Sequence, residues 1–488
     1  MADHGVVDQL SEGLLIGGQW RPASGGATFA VENPATGEEL AQVSDATGDD
    51  ATAALDAAAL AQADWAATPP SDRAEILRRA YELLVEHSDE LAELITLEMG
   101  KSLADAAGEV TYAAEFFRWF AGEATRISGR WSTAPNGASR LLTMKQPVGP
   151  TYMVTPWNFP LAMGTRKIGP ALAAGCTMVI KPAELTPLTM IRLAEILIEA
   201  GLPDGVLNLV TTSDAAAVSA PLMSDRRLRK ITFTGSTGVG RTLVEQSAER
   251  LLRTSMELGG NAPFVVFDDA DLDAAVAGAM VAKMRNIGQA CTAANRFLVA
   301  ESVVEEFTDK LVEAMEAQKV GAGWEEGVQV GPLISAKALD AVAGLVDGAV
   351  KSGATVRCGG KRLDRPGHFY APTVLTDVPA DDPVATTEIF GPVAPITTFS
   401  DEAEAVAAAN ATDYGLVAYA WTKDLNRALR MSERLEFGMV GLNTGLVSNA
   451  AAPFGGVKDS GFGREGGFEG IDEYLSVKYV GIADPGEA

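Results

Sequence analysis

The chain has 488 residues, 47% of them apolar and 21% charged, and a formal net charge of −26. Its length suggests two or three domains, and its composition is globular rather than disordered. The charge argues against nucleic-acid binding and against adhesion to anionic membranes, and an acidic substrate would need a local basic pocket.

Three widely spaced cysteines, Cys176, Cys291 and Cys358, are no disulfide framework, which points to a reducing, cytoplasmic setting. Met1 to Gly18 lacks a basic segment followed by an apolar one, so no signal peptide is read. No run of eighteen apolar residues is present, so no membrane span is expected.

Residues 14 to 45 predict short strands and turns, with Asn33-Pro34-Ala35-Thr36-Gly37 as one clear turn. Residues 46 to 126 predict helices, and Ser71 is placed to cap a run from Arg73 to Leu97. Pro135-Asn136-Gly137 reads as a hairpin turn, and Leu141 to Met144 as a strand beyond it. From residue 149 strands alternate with helices. Strands are expected at Thr151 to Val154, Thr177 to Ile180, Leu207 to Val210 and Lys230 to Phe233. Helices are expected at Ala162 to Ala174, Leu188 to Ala200 and Arg241 to Leu252. Such alternation implies a parallel sheet covered on both faces. A second series runs from about Pro263 to Val440, and Tyr474 to Val480 reads as a last strand. The fold class is therefore α/β, with two open α/β domains in series.

Several stretches carry chemistry. Two prolines fix the backbone around Asn158 in Thr155-Pro156-Trp157-Asn158-Phe159-Pro160, and a fixed amide is able to donate to a developing oxyanion. A rigid loop with a turn-forming Asn is the plainer alternative. Ile180-Lys181-Pro182-Ala183-Glu184 ends a strand at the edge where open α/β sheets bind ligands. There Glu184 is suited to a ribose diol and would repel a 2′-phosphate, although an exposed Lys181–Glu184 ion pair fits the same residues. Gly235-Ser236-Thr237-Gly238-Val239-Gly240 joins a strand to a helix, as a pyrophosphate cradle does. Leu243 replaces the third glycine of the usual dinucleotide pattern, and a tight strand-to-helix turn also fits. Glu257 lies before Gly259-Gly260 at the seam of the two series, and Glu388-Ile389-Phe390-Gly391-Pro392 precedes a turn.

Cys291 sits in Gly288-Gln289-Ala290-Cys291-Thr292. A cysteine hydrolase needs an imidazole partner, and none of His4, His87 and His368 lies within fifty residues of Cys291. If Cys291 is a nucleophile, that restriction points away from peptidases and toward chemistry in which a carboxylate and a cofactor share the work.

Taken together, these stretches resemble the NAD(P)-dependent aldehyde dehydrogenase superfamily, in order and spacing, from Asn33-Pro34 to Val480, with Pro453-Phe454-Gly455-Gly456 as a further match. The resemblance implies that the Cys291 thiolate attacks an aldehyde, that Asn158 and the Cys291 N–H hold the oxyanion, and that Glu257 activates the water that hydrolyses a thioester. It implies NAD as cofactor, with NADP possible. Lys181 and Glu184 would contact the adenosine ribose, Trp157, Gly235, Ser236 and Gly240 the phosphate region, and Glu388 and Phe390 the nicotinamide end. No metal is implied. Within the superfamily the likeness is greatest to succinate-semialdehyde dehydrogenases. It rests on Phe159-Pro160-x-Ala162-Met163-x-Thr165-Arg166-Lys167, Met284-Arg285-Asn286, Gly463-Arg464-Glu465-Gly466 and Ile471 to Leu475. It implies that Arg166, Arg285 and Ser448 hold a distal carboxylate and so supply the basic pocket. Pairing of these arginines with internal acids is the structural alternative. Gly164 and Ala450-Ala451-Ala452 depart from that subfamily and suggest a reshaped tunnel, and Ala293 leaves Cys291 without a nearby redox partner.

The resemblance also implies domains: 1–126 and 148–259 for the cofactor, 260–462 for catalysis, and 127–147 with 470–485 as a bridging element. A homodimer or homotetramer is expected. Glutarate or α-ketoglutarate semialdehyde, transfer to coenzyme A, and a non-catalytic homologue remain alternatives at this point.

Overall fold

A computed structural model describes Gly5–Ala483; the first four and last five residues, which include His4 and the end of the 470–485 segment, lie outside the described residues. The N-terminal turn forms as expected: Asn33 accepts from the Gly37 N–H at 2.8 Å between the antiparallel strands Thr28–Asn33 and Glu38–Ser44.

Helix Gly48–Ala67 opens on a reciprocal cap in which Thr47 accepts from the Asp50 N–H and the Asp50 carboxylate accepts from the Thr47 N–H. The expected helix from Arg73 to Leu97 is two helices, Pro70–Glu86 and Ser88–Met99, broken at His87. Ser71 is not the cap. It lies inside the first turn, and Pro70 starts the helix because its missing N–H is not needed there. The long helix Leu103–Ala124 carries Phe116, Phe117 and Phe120 on one face, all fully buried. That face packs on Ala162–Ala174, and each ring contributes about 1.5–3 kcal/mol by leaving water. Gly164 on the second helix faces Met190 and Leu193 in this core. It does not line a substrate tunnel, which corrects the expectation for it.

Besides the N-terminal two-stranded pair, three larger sheets organise the described residues. The first has eight strands in the order Gly461–Phe462, Arg253–Glu257, Lys230–Thr234, Thr151–Val154, Met178–Lys181, Leu207–Leu209, Leu14–Ile16 and Gln19–Arg21. The five middle strands are parallel. Among these parallel strands the chain starts at Thr151–Val154, runs outward through the next two, then returns to the other side at Lys230–Thr234. That reversal leaves a crevice at the carboxyl ends of those two strands. The second sheet has seven strands, parallel except at its Thr355–Cys358 edge. The third is antiparallel: Arg130–Thr133, Ser139–Pro147 and Leu475–Ala483. The last strand starts one residue later and ends three residues later than expected. The helix expected from Arg241 is shifted, running Thr237–Ser247, because Ser236 caps it directly after the strand.

Candidate active site

The crevice of the first sheet meets the amino ends of interior strands of the second. Strand Thr151–Val154 delivers Trp157 and Asn158, Lys230–Thr234 delivers Gly235 and Ser236, and Arg253–Glu257 delivers Glu257 as its last residue. From the opposite side Cys291 arrives just before strand Ala294–Ala300, and Glu388 and Phe390 just before Val393–Phe399. Close approach needs the two glycines between the sheets. A Cβ on Gly260 would stand 2.4 Å from the Cys291 carbonyl oxygen, and one on Gly259 would stand 2.8 Å from Glu388 Oε2.

These residues share one cavity of about 280 Å³. Cys291, Glu257 and Asn158 line it, with Trp157, Gly235, Ser236, Glu388 and Phe390, and with Arg166, Arg285 and Ser448. Lys181, Glu184 and Gly240 do not. Gly240 sits inside its helix, where a Cβ would meet Leu258 at 2.5 Å. Lys181 is buried at its strand end beside Val154 and donates to the Pro182 carbonyl at 2.9 Å, whereas Glu184 is exposed. The two form no ion pair among the described residues, so the surface-pair alternative does not hold.

The groups fit a dinucleotide on their own chemistry. Two of the three Lys181 N–H bonds are unspent among the described residues, and beside Gly238 there is open space at the helix start. The first N–H groups of that helix face this opening with their positive dipole end. Trp157 and Phe390 meet edge to face, with ring centroids 5.4 Å apart, and Phe390 holds a left-handed φ of +53°.

The cysteine loop is strained. Asn286, Ile287 and Gly288 have φ of +56°, +63° and +73°. For a β-branched residue such as Ile287 this is costly, about 1–3 kcal/mol. The surroundings enforce it. The Asn286 N–H donates to Asp105 at 2.9 Å, and its side-chain amide reaches the carbonyls of Asn158 and Gln289, each at 2.9 Å. Asn158 Nδ2 gives one N–H to the same Gln289 carbonyl at 2.9 Å, which leaves its second N–H uncommitted.

Burial governs the protonation states. It pushes the Cys291 thiol up to about 12; Arg166 opposes this, and Glu388 adds to it. Burial also lifts Glu388 to about 7 and holds Glu257 well above the usual carboxylate range, with the Glu465 charge as the second cause for Glu257. Both Glu257 oxygens lack a hydrogen-bond partner among the described residues. Glu465 behaves oppositely. Against burial, Lys167 and then Arg166 hold its carboxyl below the ordinary value. The pairs are close, Lys167 Nζ at 2.5 Å and Arg166 Nη2 at 2.6 Å.

The structural alternative is therefore realised for Arg166 and not for Arg285. Arg285 forms no ion pair among the described residues and lies over the Phe159 ring at 4.9 Å. Arg166 lines the cavity with its Nε unpartnered and its guanidinium 3.9 Å from the Phe454 ring centroid. Sequence reasoning missed Tyr112, which contributes a buried hydroxyl to the cavity wall from an ordinary amphipathic helix. It also gave no role to Lys167 and Glu465, although an acid among glycines near the chain end was on view.

Cysteine alkylation tests the thiol directly. Below its pKa the thiolate fraction rises about tenfold per pH unit. Without added dinucleotide, iodoacetamide labelling of the Cys291 peptide, followed by mass spectrometry, is expected to keep rising from pH 7 to beyond pH 10. A plateau near pH 8 would contradict the burial effect.

The chain is similar to known proteins over most of its length. Residues 20–480 match the aldehyde dehydrogenase family. A succinate-semialdehyde dehydrogenase of Paenarthrobacter nicotinovorans is 59% identical over 92% of this chain and 100% of its own. An NADP(+) succinate-semialdehyde dehydrogenase of Escherichia coli K12 is 51% identical over 96% of this chain and 97% of its own. A glutarate-semialdehyde dehydrogenase of Pseudomonas putida is 49% identical over 96% of this chain and 97% of its own. Among solved structures, betaine aldehyde dehydrogenase of Staphylococcus aureus in complex with NAD+ superposes with a TM-score of 0.96 at 34% identity, covering 99% of this chain and 97% of that one. A thiol, an amide and a carboxylate gathered where two α/β sheets meet, in a chain this similar to these enzymes from end to end, belong to a member of the aldehyde dehydrogenase family.

Proposed function

We propose that the protein oxidises an aldehyde carrying a distal carboxylate, with succinate semialdehyde as the first choice of substrate and NAD(P)+ as oxidant. One observation carries the substrate class: Arg285, with no ion pair among the described residues, lines the Cys291 cavity together with Arg166 and Ser448, in a chain whose net charge is −26. Relatives named for succinate and glutarate semialdehydes support the same class.

The dinucleotide, when bound, supplies an acceptor for hydride and a positive charge that favours thiolate. Lys181 and Glu184 would hold its ribose, the turn at Gly235 and Ser236 its phosphates, and Glu388 and Phe390 its reactive end. The rest falls to this chain. Cys291, as thiolate, adds to the carbonyl carbon, and the oxygen takes the free Asn158 N–H and the Cys291 backbone N–H. One such donor is worth about 2.7–4 kcal/mol in the transition state. After oxidation a thioester remains on Cys291. Glu257, with both oxygens unpartnered, accepts a proton from the water that opens it. A base of this kind argues for water rather than coenzyme A as the acyl acceptor.

The three sheets support the division into cofactor-binding (1–126, 148–259), catalytic (260–462) and bridging (127–147, 470–485) parts, with residues 461–462 returning to the first sheet. Exposed Val477 and Tyr479 on the last strand, and Trp131 on its sheet, support a homodimer or homotetramer. No helix among the described residues is long and apolar enough to cross a membrane; the cysteine usage supports a cytoplasmic setting.

A rate screen of succinate, glutarate and α-ketoglutarate semialdehydes against butanal, with NAD+ and NADP+ in turn, tests the reading. The best kcat/KM should fall on a semialdehyde, and equal values on butanal would defeat it. Arg285→Ala should raise KM for the preferred semialdehyde about 10- to 100-fold, since hydrogen bonds to charged groups are worth about 1.5–3 kcal/mol. On butanal it should change little. Arg166→Ala should act in the same direction, but it also unpairs Glu465 beside Glu257, so Arg285 gives the cleaner comparison.

A further inference from the structure

We infer that the buried Lys101–Glu109 ion pair is a positioning device for the oxyanion donor, with Lys101 aiming the Asn158 amide. The inference rests on the role given to Asn158 above and extends it to residues that do not line the Cys291 cavity.

Asn158 must present its free N–H to within a fraction of an ångström, because an error of about 1 Å lowers a rate by about a hundredfold. Its side chain has a single hydrogen-bond anchor among the described residues, the Gln289 carbonyl. Its Oδ1 is buried and unpartnered. The direction of the amide is therefore set largely by its own backbone. That backbone is held at one atom: the Asn158 carbonyl oxygen accepts from Lys101 Nζ and from Asn286 Nδ2, both at 2.9 Å. Lys101 is in turn fixed from two sides. Glu109 Oε2 lies 2.5 Å from Nζ, and the Phe159 ring centroid lies 4.1 Å away.

Glu109 does a second task. Its other oxygen accepts the N–H groups of Leu161 at 2.9 Å and Ala162 at 3.2 Å. These open the helix that carries Arg166. One carboxylate thus fixes both the loop holding the oxyanion donor and the helix holding a cavity guanidinium. The pair comes from sequence far from either, at the start of helix Leu103–Ala124 and just before it. Both side chains are 0% exposed. Stability does not account for burying two charges, since an apolar pair of equal volume is often as stable or more so. Directional donors to a single carbonyl do account for it.

The test is a double-mutant cycle. Lys101→Met should lower kcat about 10- to 100-fold with little change in KM, equally on succinate semialdehyde and on butanal. In an Asn158→Ala background, where no amide is left to aim, the same change should remove less than about a further twofold. Equal losses in the two backgrounds would overturn the inference, because a merely structural residue acts in both. Glu109→Gln, which keeps an acceptor for Leu161 and Ala162, should show the same pattern and serves if Lys101→Met does not fold. A readout free of turnover is the crystal structure of whichever variant folds. Asn158 Nδ2 should move beyond about 3.5 Å from the Gln289 carbonyl. An unmoved amide would overturn the inference even if the protein oxidised none of the aldehydes tried. Failure of the substrate reading shows separately, as a wild-type enzyme with no preference for the semialdehyde.

Discussion

Cys291→Ala should lower kcat by about four orders of magnitude or more and leave the fold intact. The size of the loss follows from what else the cavity holds. Its hydroxyls, on Tyr112, Thr234, Ser236, Thr292 and Ser448, have no imidazole among the described residues to activate them. His87 is engaged with Glu90 at 2.9 Å, and His368 with Glu32 at 2.6 Å, and neither lines the cavity. Carboxylates remain, but a carboxylate adduct of an aldehyde does not lead to a thioester. Dinucleotide reduction followed spectrophotometrically, with circular dichroism to check folding, measures the effect. Residual turnover above about 1% of wild type would place the nucleophile elsewhere.

Glu257→Gln should separate the two halves of the reaction. One equivalent of reduced dinucleotide per site should still form in a rapid burst, and steady turnover should fall about 10²- to 10⁴-fold, the usual contribution of a general base. Three carboxylates lie close together here, and the structure distinguishes them. Glu465 is neutralised by Lys167 and Arg166, and Glu388 accepts the Gly260 N–H at 3.1 Å. Glu257 alone has both oxygens unpartnered among the described residues. Its raised pKa sets the sign of the pH dependence. A base must be deprotonated to act, so wild-type steady turnover should climb with pH through and above neutrality. Glu257→Gln should flatten that climb. A variant that keeps its steady rate, or one that loses the burst, would contradict the assignment. Rapid-mixing absorbance records both phases.

Much of this was legible from the residues. Strands in a parallel sheet are continuous apolar runs, so Thr151–Val154 and the helix Ala162–Ala174 were read to the residue. Stiff or small residues mark the loops that carry chemistry, and Asn158, Gly235 and Gly259 announced themselves that way. Other features had no local signature. The break at His87 depends on how two helices pack, and nothing in the apolar spacing shows it. The early start at Thr237 came from a serine cap competing with a glycine turn. Arg166 was found, but its partner was not, because Glu465 lies 299 positions further on. Lys101 and Glu109 drew no notice in the sequence, since their burial is decided by the loop of Asn158 closing over them.

The strand Gly461–Phe462 runs antiparallel beside Met256 and Glu257, and the loop after it returns Glu465 to the two cations of the helix Ala162–Ala174. The final tenth of the polypeptide is thus laid across work begun in the first half. A nascent chain emerging from the ribosome has its thiol, amide and base translated long before the anion that balances their neighbourhood arrives. Competence waits for residue 465, so no amino-terminal fragment that stops short of it carries a finished centre.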